Sequence, residues 1–118
     1  MPERSDLSAP SAAPSSPVKR PPHSQLWPDT AQVDDAGHLR IAGLDIARLA
    51  REYGTPLYLF DEATIRAQCR TFRQEFARGW PISAIAYAGK AYLSPALCTI
   101  LDDEGLELDA VSAGEIAA

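Results

Sequence analysis

Two cysteines and two histidines in 118 residues leave little from which to build a disulfide framework or a metal centre. Cys69 and Cys98 lie 29 positions apart, outside any CxxC pattern and without a neighbouring histidine. Each falls in a helical pattern, where a reduced and partly buried thiol is the simpler reading, so no metal site is expected. Positive charge is also scarce: 11 Lys and Arg stand against 16 Asp and Glu, for a net charge of −5. A broad nucleic-acid footprint needs clustered basic residues. The only such cluster, "VKRPPH" from Val18 to His23, is short, lies in a Pro-rich segment and reads as a solvated tail. No apolar signal-peptide core heads the chain, which together with the thiols makes the cytoplasm the expected compartment.

A membrane span is the one reading that length allows and chemistry opposes. Gly79 to Leu101 is 23 residues long and carries one charge, Lys90. Lys90 would sit at the bilayer centre, at a cost of roughly 2.5–3.5 kcal/mol, and Pro81, Ser83, Gly89, Ser94 and Pro95 interrupt the run. No membrane partner is expected.

Seven of the ten prolines fall in the first 28 residues, mixed with Ser and Ala. Such a segment buries too little apolar surface to offset its ordering entropy, so residues 1–25 are expected to be a disordered tail. "DDAGH" (Asp34 to His38) has turn chemistry and precedes the strand-like "LRIAG". Residues 26–45 are therefore read as a short strand-bearing segment, which the family resemblance given below assigns to the first strands of a β-rich domain. "DIARLAREYG" is a short helix ending at Gly54, and "LYLF" (Leu57 to Phe60) is a strand after Pro56. A longer helix starts at the N-cap Asp61 and presents Ile65, Cys69, Phe72 and Phe76 on one face. A strand over Ile82 to Ala88 follows, then a helix with Ser94 as N-cap and Pro95 at its first position. "LELDAV" is a further strand, and "SAGEIAA" opens another helix.

Strand and helix thus alternate, the signature of parallel α/β architecture. Three units leave open whether the sheet is doubly wound or closes into a barrel; a whole barrel typically needs about 250 residues, of which residues 46–118 would supply only the opening. A chain ending in a helix start has the look of a truncation.

Lys90 is the residue that demands a reason. With a two-residue period, Ile82, Ala84, Ala86, Ala88 and Lys90 share one strand face, and Ser83, Ile85, Tyr87 and Gly89 the other. Three alanines leave space beside the ammonium, at the strand end where α/β barrels place their chemistry. Burial there would disfavour the charged form and yield an amine nucleophile able to condense with an aldehyde or ketone. The alternative is a lysine whose head reaches water at a strand end.

Three motifs in order carry a resemblance. "YAGKAYLSPAL" resembles the cofactor-lysine segment of pyridoxal-phosphate decarboxylases built on an alanine-racemase-like barrel. "EYGTPLYLFDEATIRAQCRTFRQEF" is similar to an early segment of the same group, its diaminopimelate decarboxylases in particular, and "LDAVSAGEI" to the family's "SxGE" stretch. The resemblance covers Leu26 to Ala118. It implies an α/β fold made of the opening βα units of a pyridoxal-phosphate-binding TIM-type barrel, preceded by the tail and the short β segment. It also implies that Lys90 is the Schiff-base lysine of pyridoxal 5'-phosphate, that Ala88 lines the cofactor site and that Asp109 sets the lysine's charge and orientation.

Glu115 matches the acidic residue of "SxGE", while Ser112 and Glu115 also spell a capping box, which alone would account for both. Asp109 has a rival reading as a solvated strand-end carboxylate. Tyr58 and Tyr92 read as packing residues, with Tyr92 near enough in sequence to Lys90 to meet a cofactor. "AGKAY" departs from the family's "AVKAN" or "ASKAF" at Gly89 and Tyr92. The implied reaction is conversion of meso-2,6-diaminopimelate, a small amino-acid substrate, to L-lysine and carbon dioxide by a homodimer. Ornithine, arginine and carboxynorspermidine decarboxylases and amino-acid racemases share a similar lysine strand. The resemblance places the phosphate loop and the substrate-binding motifs beyond Ala118. The chain alone is expected to be inactive and poorly folded, because an open barrel exposes unpaired strand edges; a non-catalytic truncated product is the alternative reading.

Overall fold

The computed structural model describes residues 19–117. Three short strands open it: β1 (Gln32–Val33), β2 (Leu39–Ile41) and β3 (Leu44–Asp45), paired antiparallel in that order. The β1–β2 turn is built by Asp34, whose carboxylate accepts from the backbone amides of Ala36 and His38 at 3.0 and 2.9 Å. The tail expectation fails over its last part. Lys19 bridges to Val33, and Ser24–Leu26 form a 3-10 turn, because the edge of β1 offers backbone partners that composition does not reveal. The remainder of that expectation lies outside the described residues.

Helix α1 (Ile46–Tyr53) starts where the Asp45 carboxylate accepts from the Arg48 amide at 2.9 Å and stops at Gly54. "LYLF" is not a strand. Leu57 to Phe60 has no ladder partner, and Tyr58, expected to pack, is 87% exposed. Its composition favours a strand, but a strand needs a neighbour to take its backbone hydrogen bonds.

Helix α2 (Glu62–Gly79) begins after Asp61, and α3 (Pro95–Asp103) after Ser94, whose hydroxyl accepts from the Leu97 amide at 3.3 Å. Between them runs β4 (Ala86–Ala88), parallel to β5 (Glu107–Asp109), so β4, α3 and β5 form one βαβ crossover. Helix α4 (Ala113–Ile116) follows. β4 is shorter than the expected strand from Ile82, because its partner is only three residues long; Ile82 is fully exposed.

The core lies between α2, α3 and the Tyr87 face of β4. Cys69, Leu97 and Leu101 are buried, with Ile65, Tyr87 and Leu106 packed against them. Only the first half of the α2 stripe is covered: Phe72 and Phe76 stay 56% and 46% exposed. The reason is length. At 1.5 Å per residue α2 extends about 27 Å and α3 about 13 Å, so α3 shields roughly half of it.

An ion-pair cluster ties the helices. Arg70 grips Glu104 through Nε and Nη2 at 2.7 and 2.6 Å, and Arg66 reaches the same carboxylate at 3.1 Å and Asp103 at 3.0 Å. Arg73 donates to the Glu104 carbonyl at 2.7 Å. The hydrogen bond from Arg70 holds the Glu104 carboxyl below its ordinary range, against the opposing effect of burial, with Arg66 adding to the shift. The turn into β5 passes through Gly105 at φ +69°, a conformation that side-chain-bearing residues rarely adopt, and a Cβ there would lie 3.1 Å from the Arg73 guanidinium.

Candidate active site

The site forms where β4 and β5 end. Both strands run the same way, so their C-terminal ends emerge together, and the register pairs Ala88 directly with Asp109. Two of the four sequence-derived residues are thus neighbours across the ladder. Lys90 lies two residues beyond Ala88 and is not on the strand. It is the middle residue of a 3-10 turn, Gly89–Ala91, that caps β4. Its side chain is exposed, which corrects the expectation of an amine buried among alanines. A two-stranded sheet has no second wall to enclose a strand-end side chain. Among the described residues no carboxylate lies within ion-pair distance of Lys90.

Glu115 stands on α4, after the loop that leaves β5. Its Oε2 accepts from the Val111 and Ser112 amides at 2.5 and 3.2 Å, while the Ser112 hydroxyl accepts from the Glu115 amide at 3.2 Å. The capping box is therefore formed. Glu115 orders the loop that follows Asp109.

Three aromatic residues brace the lysine turn, and only Tyr92 had been read as packing near it. The Tyr87 hydroxyl donates to the Tyr92 carbonyl at 2.9 Å, across the turn. The Tyr92 ring stacks on Phe60 with centroids 4.3 Å apart and planes 22° from parallel. Phe60 precedes Asp61, whose carboxylate accepts from the hydroxyls of Thr30, at 2.9 Å, and Thr64. Burial pushes the Asp61 carboxyl up, but the hydrogen bonds from Thr64 and Thr30 outweigh it and leave it below its ordinary value. The available sequence signal was spacing: Tyr87 and Tyr92 bracket Lys90.

An apolar hollow of about 600 Å³ borders Phe60, Cys69, Ala86, Ala88, Ala91 and Leu101. It has the volume of a ligand site, yet no Lys or Arg lines it and Lys90 does not reach it. A phosphate would find no counter-charge there. The hollow is a gap in the core. What fits a carbonyl-bearing cofactor is the strand exit itself: a primary amine, a glycine and alanines that leave its approach open, and a paired carboxylate on the next strand. Of these residues, none can hold a phosphate.

No helix among the described residues is long and apolar enough to cross a membrane, and no cluster there has the composition of a metal site. Residues 62–118 match the family described as pyridoxal-dependent decarboxylase, pyridoxal binding domain. The chain is 44% identical over 87 residues to the diaminopimelate decarboxylase of Bacillus subtilis (strain 168), covering 74% of this chain and 20% of that protein. It is 45% identical over 91 residues to the diaminopimelate decarboxylase of Methanothermobacter thermautotrophicus, 77% of this chain and 21% of that one. Against the Synechocystis enzyme of the same name it is 38% identical over 101 residues, or 85% and 22%. The chain spans about a fifth of the length of the curated relatives it matches.

Proposed function

We propose, from the premise that this chain belongs to the pyridoxal-dependent decarboxylase family, that Lys90 is the lysine which binds pyridoxal 5'-phosphate. The chain then forms the opening βα units of a pyridoxal-binding barrel, and the enzyme it serves converts meso-2,6-diaminopimelate to L-lysine and carbon dioxide. The observation that carries this reading is the placement of Lys90: an exposed amine on the turn that caps β4, beside the paired Ala88 and Asp109.

Pyridoxal phosphate, when bound, supplies an aldehyde for the lysine amine and a conjugated ring that accepts the electron pair left by a departing carboxylate. The chain's own share is positional. Lys90 presents its amine from a turn with both ends fixed. Gly89, buried against β5, fixes the near side of that turn. Asp109, level with Ala88 on β5, brings a carboxylate to the same strand exit. Glu115 keeps the β5 exit loop in place through the two amides it accepts from. The reading also makes the enzyme a cytoplasmic homodimer; the free thiols of Cys69 and Cys98 are compatible with a reducing compartment.

A graft tests it. The 87 matched residues replace their counterpart in the Bacillus subtilis enzyme, and release of carbon dioxide from meso-diaminopimelate, ornithine and arginine is measured. Turnover of meso-diaminopimelate, lost with Lys90→Ala, is expected. A folded graft that is inactive, or that keeps its activity without Lys90, overturns the proposal.

A further inference from the structure

The Lys90 side chain has no hydrogen-bond or ion-pair partner among the described residues, so what the protein fixes is the turn from which the amine extends. We infer that Tyr87, Tyr92 and Phe60 are positioning residues for the Lys90 amine. The inference rests on the reading of Lys90 as the cofactor lysine.

On one side of the turn, Gly89 is buried against β5. A Cβ placed on it would lie 3.2 Å from the Asp109 carbonyl oxygen and 3.4 Å from Leu108 Cδ1, so the neighbouring strand blocks movement toward it. On the other side, the Tyr92 carbonyl is tied to the Tyr87 hydroxyl at 2.9 Å. Tyr87 is three residues before Lys90 and Tyr92 two after, so this bond spans the turn as a strap. The Tyr87 ring packs on the Cys69, Leu97 and Leu101 cluster, which roots the strap in the core. The Tyr92 ring is stacked on Phe60, at the start of α2, and Asp61 next to it is bound to Thr30 and Thr64. The lysine turn is therefore anchored to the sheet, the core and the head of α2 together. Gly89 and Tyr92 are also where the sequence departs from the family's lysine motif. A glycine lets β5 come close, and a tyrosine supplies the ring that Phe60 needs.

The chain has two lysines, Lys19 and Lys90, so Lys19 serves as an internal reference. The whole chain is incubated with pyridoxal phosphate and treated with borohydride. The amine condenses with the aldehyde, releasing water, and borohydride adds hydride to the carbon of the resulting carbon–nitrogen double bond. Peptide mapping then gives the ratio of label on Lys90 to label on Lys19 across pH. Tyr87→Phe keeps the ring in the core and removes only the hydroxyl; Phe60→Leu removes the stack; Phe60→Tyr retains it.

Tyr87→Phe is expected to lower the ratio about two- to tenfold, the change that losing one hydrogen bond produces. Phe60→Leu should act in the same direction, and Phe60→Tyr should restore the wild-type ratio. Preferential labelling of Lys90 that neither variant alters overturns the positioning role and leaves the reading of Lys90 intact. Equal labelling of the two lysines in the wild type overturns the positioning role, and a folded graft into the Bacillus subtilis enzyme whose label lies away from Lys90 overturns the reading of Lys90 itself. A fall that only tracks loss of folded protein, measured by circular dichroism, overturns the positioning role as well.

Discussion

Leu101→Ala tests whether the packing beneath the lysine strand is what supports it. Leu101 is 3% exposed and sits among Cys69, Leu97, Ile65, Tyr87 and Leu106. The substitution removes three carbons, worth about 2.4 kcal/mol at about 0.8 kcal/mol each. A sealed cavity would add to that. Here the site already borders the hollow of about 600 Å³, which is open to the surface, so water and neighbouring side chains can enter the vacated space. The expected cost is therefore about 2–3 kcal/mol, in the lower half of the usual range for such a truncation. Urea unfolding followed by circular dichroism measures it, with Phe76→Ala as a control. Phe76 is 46% exposed and should cost about 1 kcal/mol. Equal costs for the two variants would refute the reasoning, because α3 would then not be covering the Ile65–Cys69 half of α2.

Ser94→Ala should destabilise the chain by about 1 kcal/mol, read in the same unfolding experiment, because it leaves the Leu97 amide without its cap. The Glu104 carboxyl lies below its ordinary value of 4.5, chiefly through Arg70. Its contribution to stability is thus complete above the unfolded-state value and is lost as pH falls through the lower, folded-state one. The thermal midpoints of the wild type and Arg70→Gln should accordingly differ at pH 7 and converge as the pH drops below about 4.5, near an unperturbed glutamate's pKa; a constant gap would contradict the assignment. Glu115→Gln keeps the cap, since glutamine serves at that position of a capping box, and should leave the melting temperature within a few degrees. Any loss of Lys90 labelling in that variant would report the charge of Glu115.

Helix starts were legible because they are local chemistry. Ser94 and the Ser112–Glu115 box need only residues three positions away, and spacing reveals them; Asp61, also read as an N-cap, precedes α2 but gives its carboxylate to the Thr30 and Thr64 hydroxyls and makes no cap bond. The parallel pairing of β4 with β5 followed from strand–helix alternation, while Ala88 and Asp109 were singled out only through the family resemblance. Leu57 to Phe60 misled because β-propensity describes a segment, whereas a strand is a property of two segments. The exposure of Lys90 was illegible for a related reason: alternation assigns a side chain to a face but does not say whether anything stands opposite that face. The stack of Phe60 on Tyr92 and the grip of Arg66 and Arg70 on Glu104 join residues more than 30 positions apart, beyond any periodicity. Arg66 and Arg70 did share a helix face, four residues apart, but nothing local identified Glu104 as their partner.

The most direct measurement is the mapped site of pyridoxyl attachment, after reduction with borohydride, in the graft of the 87 matched residues into the Bacillus subtilis enzyme. The account predicts label concentrated on Lys90 and abolished there by Lys90→Arg. Label on other lysines of a folded graft, with Lys90 bare, would contradict it.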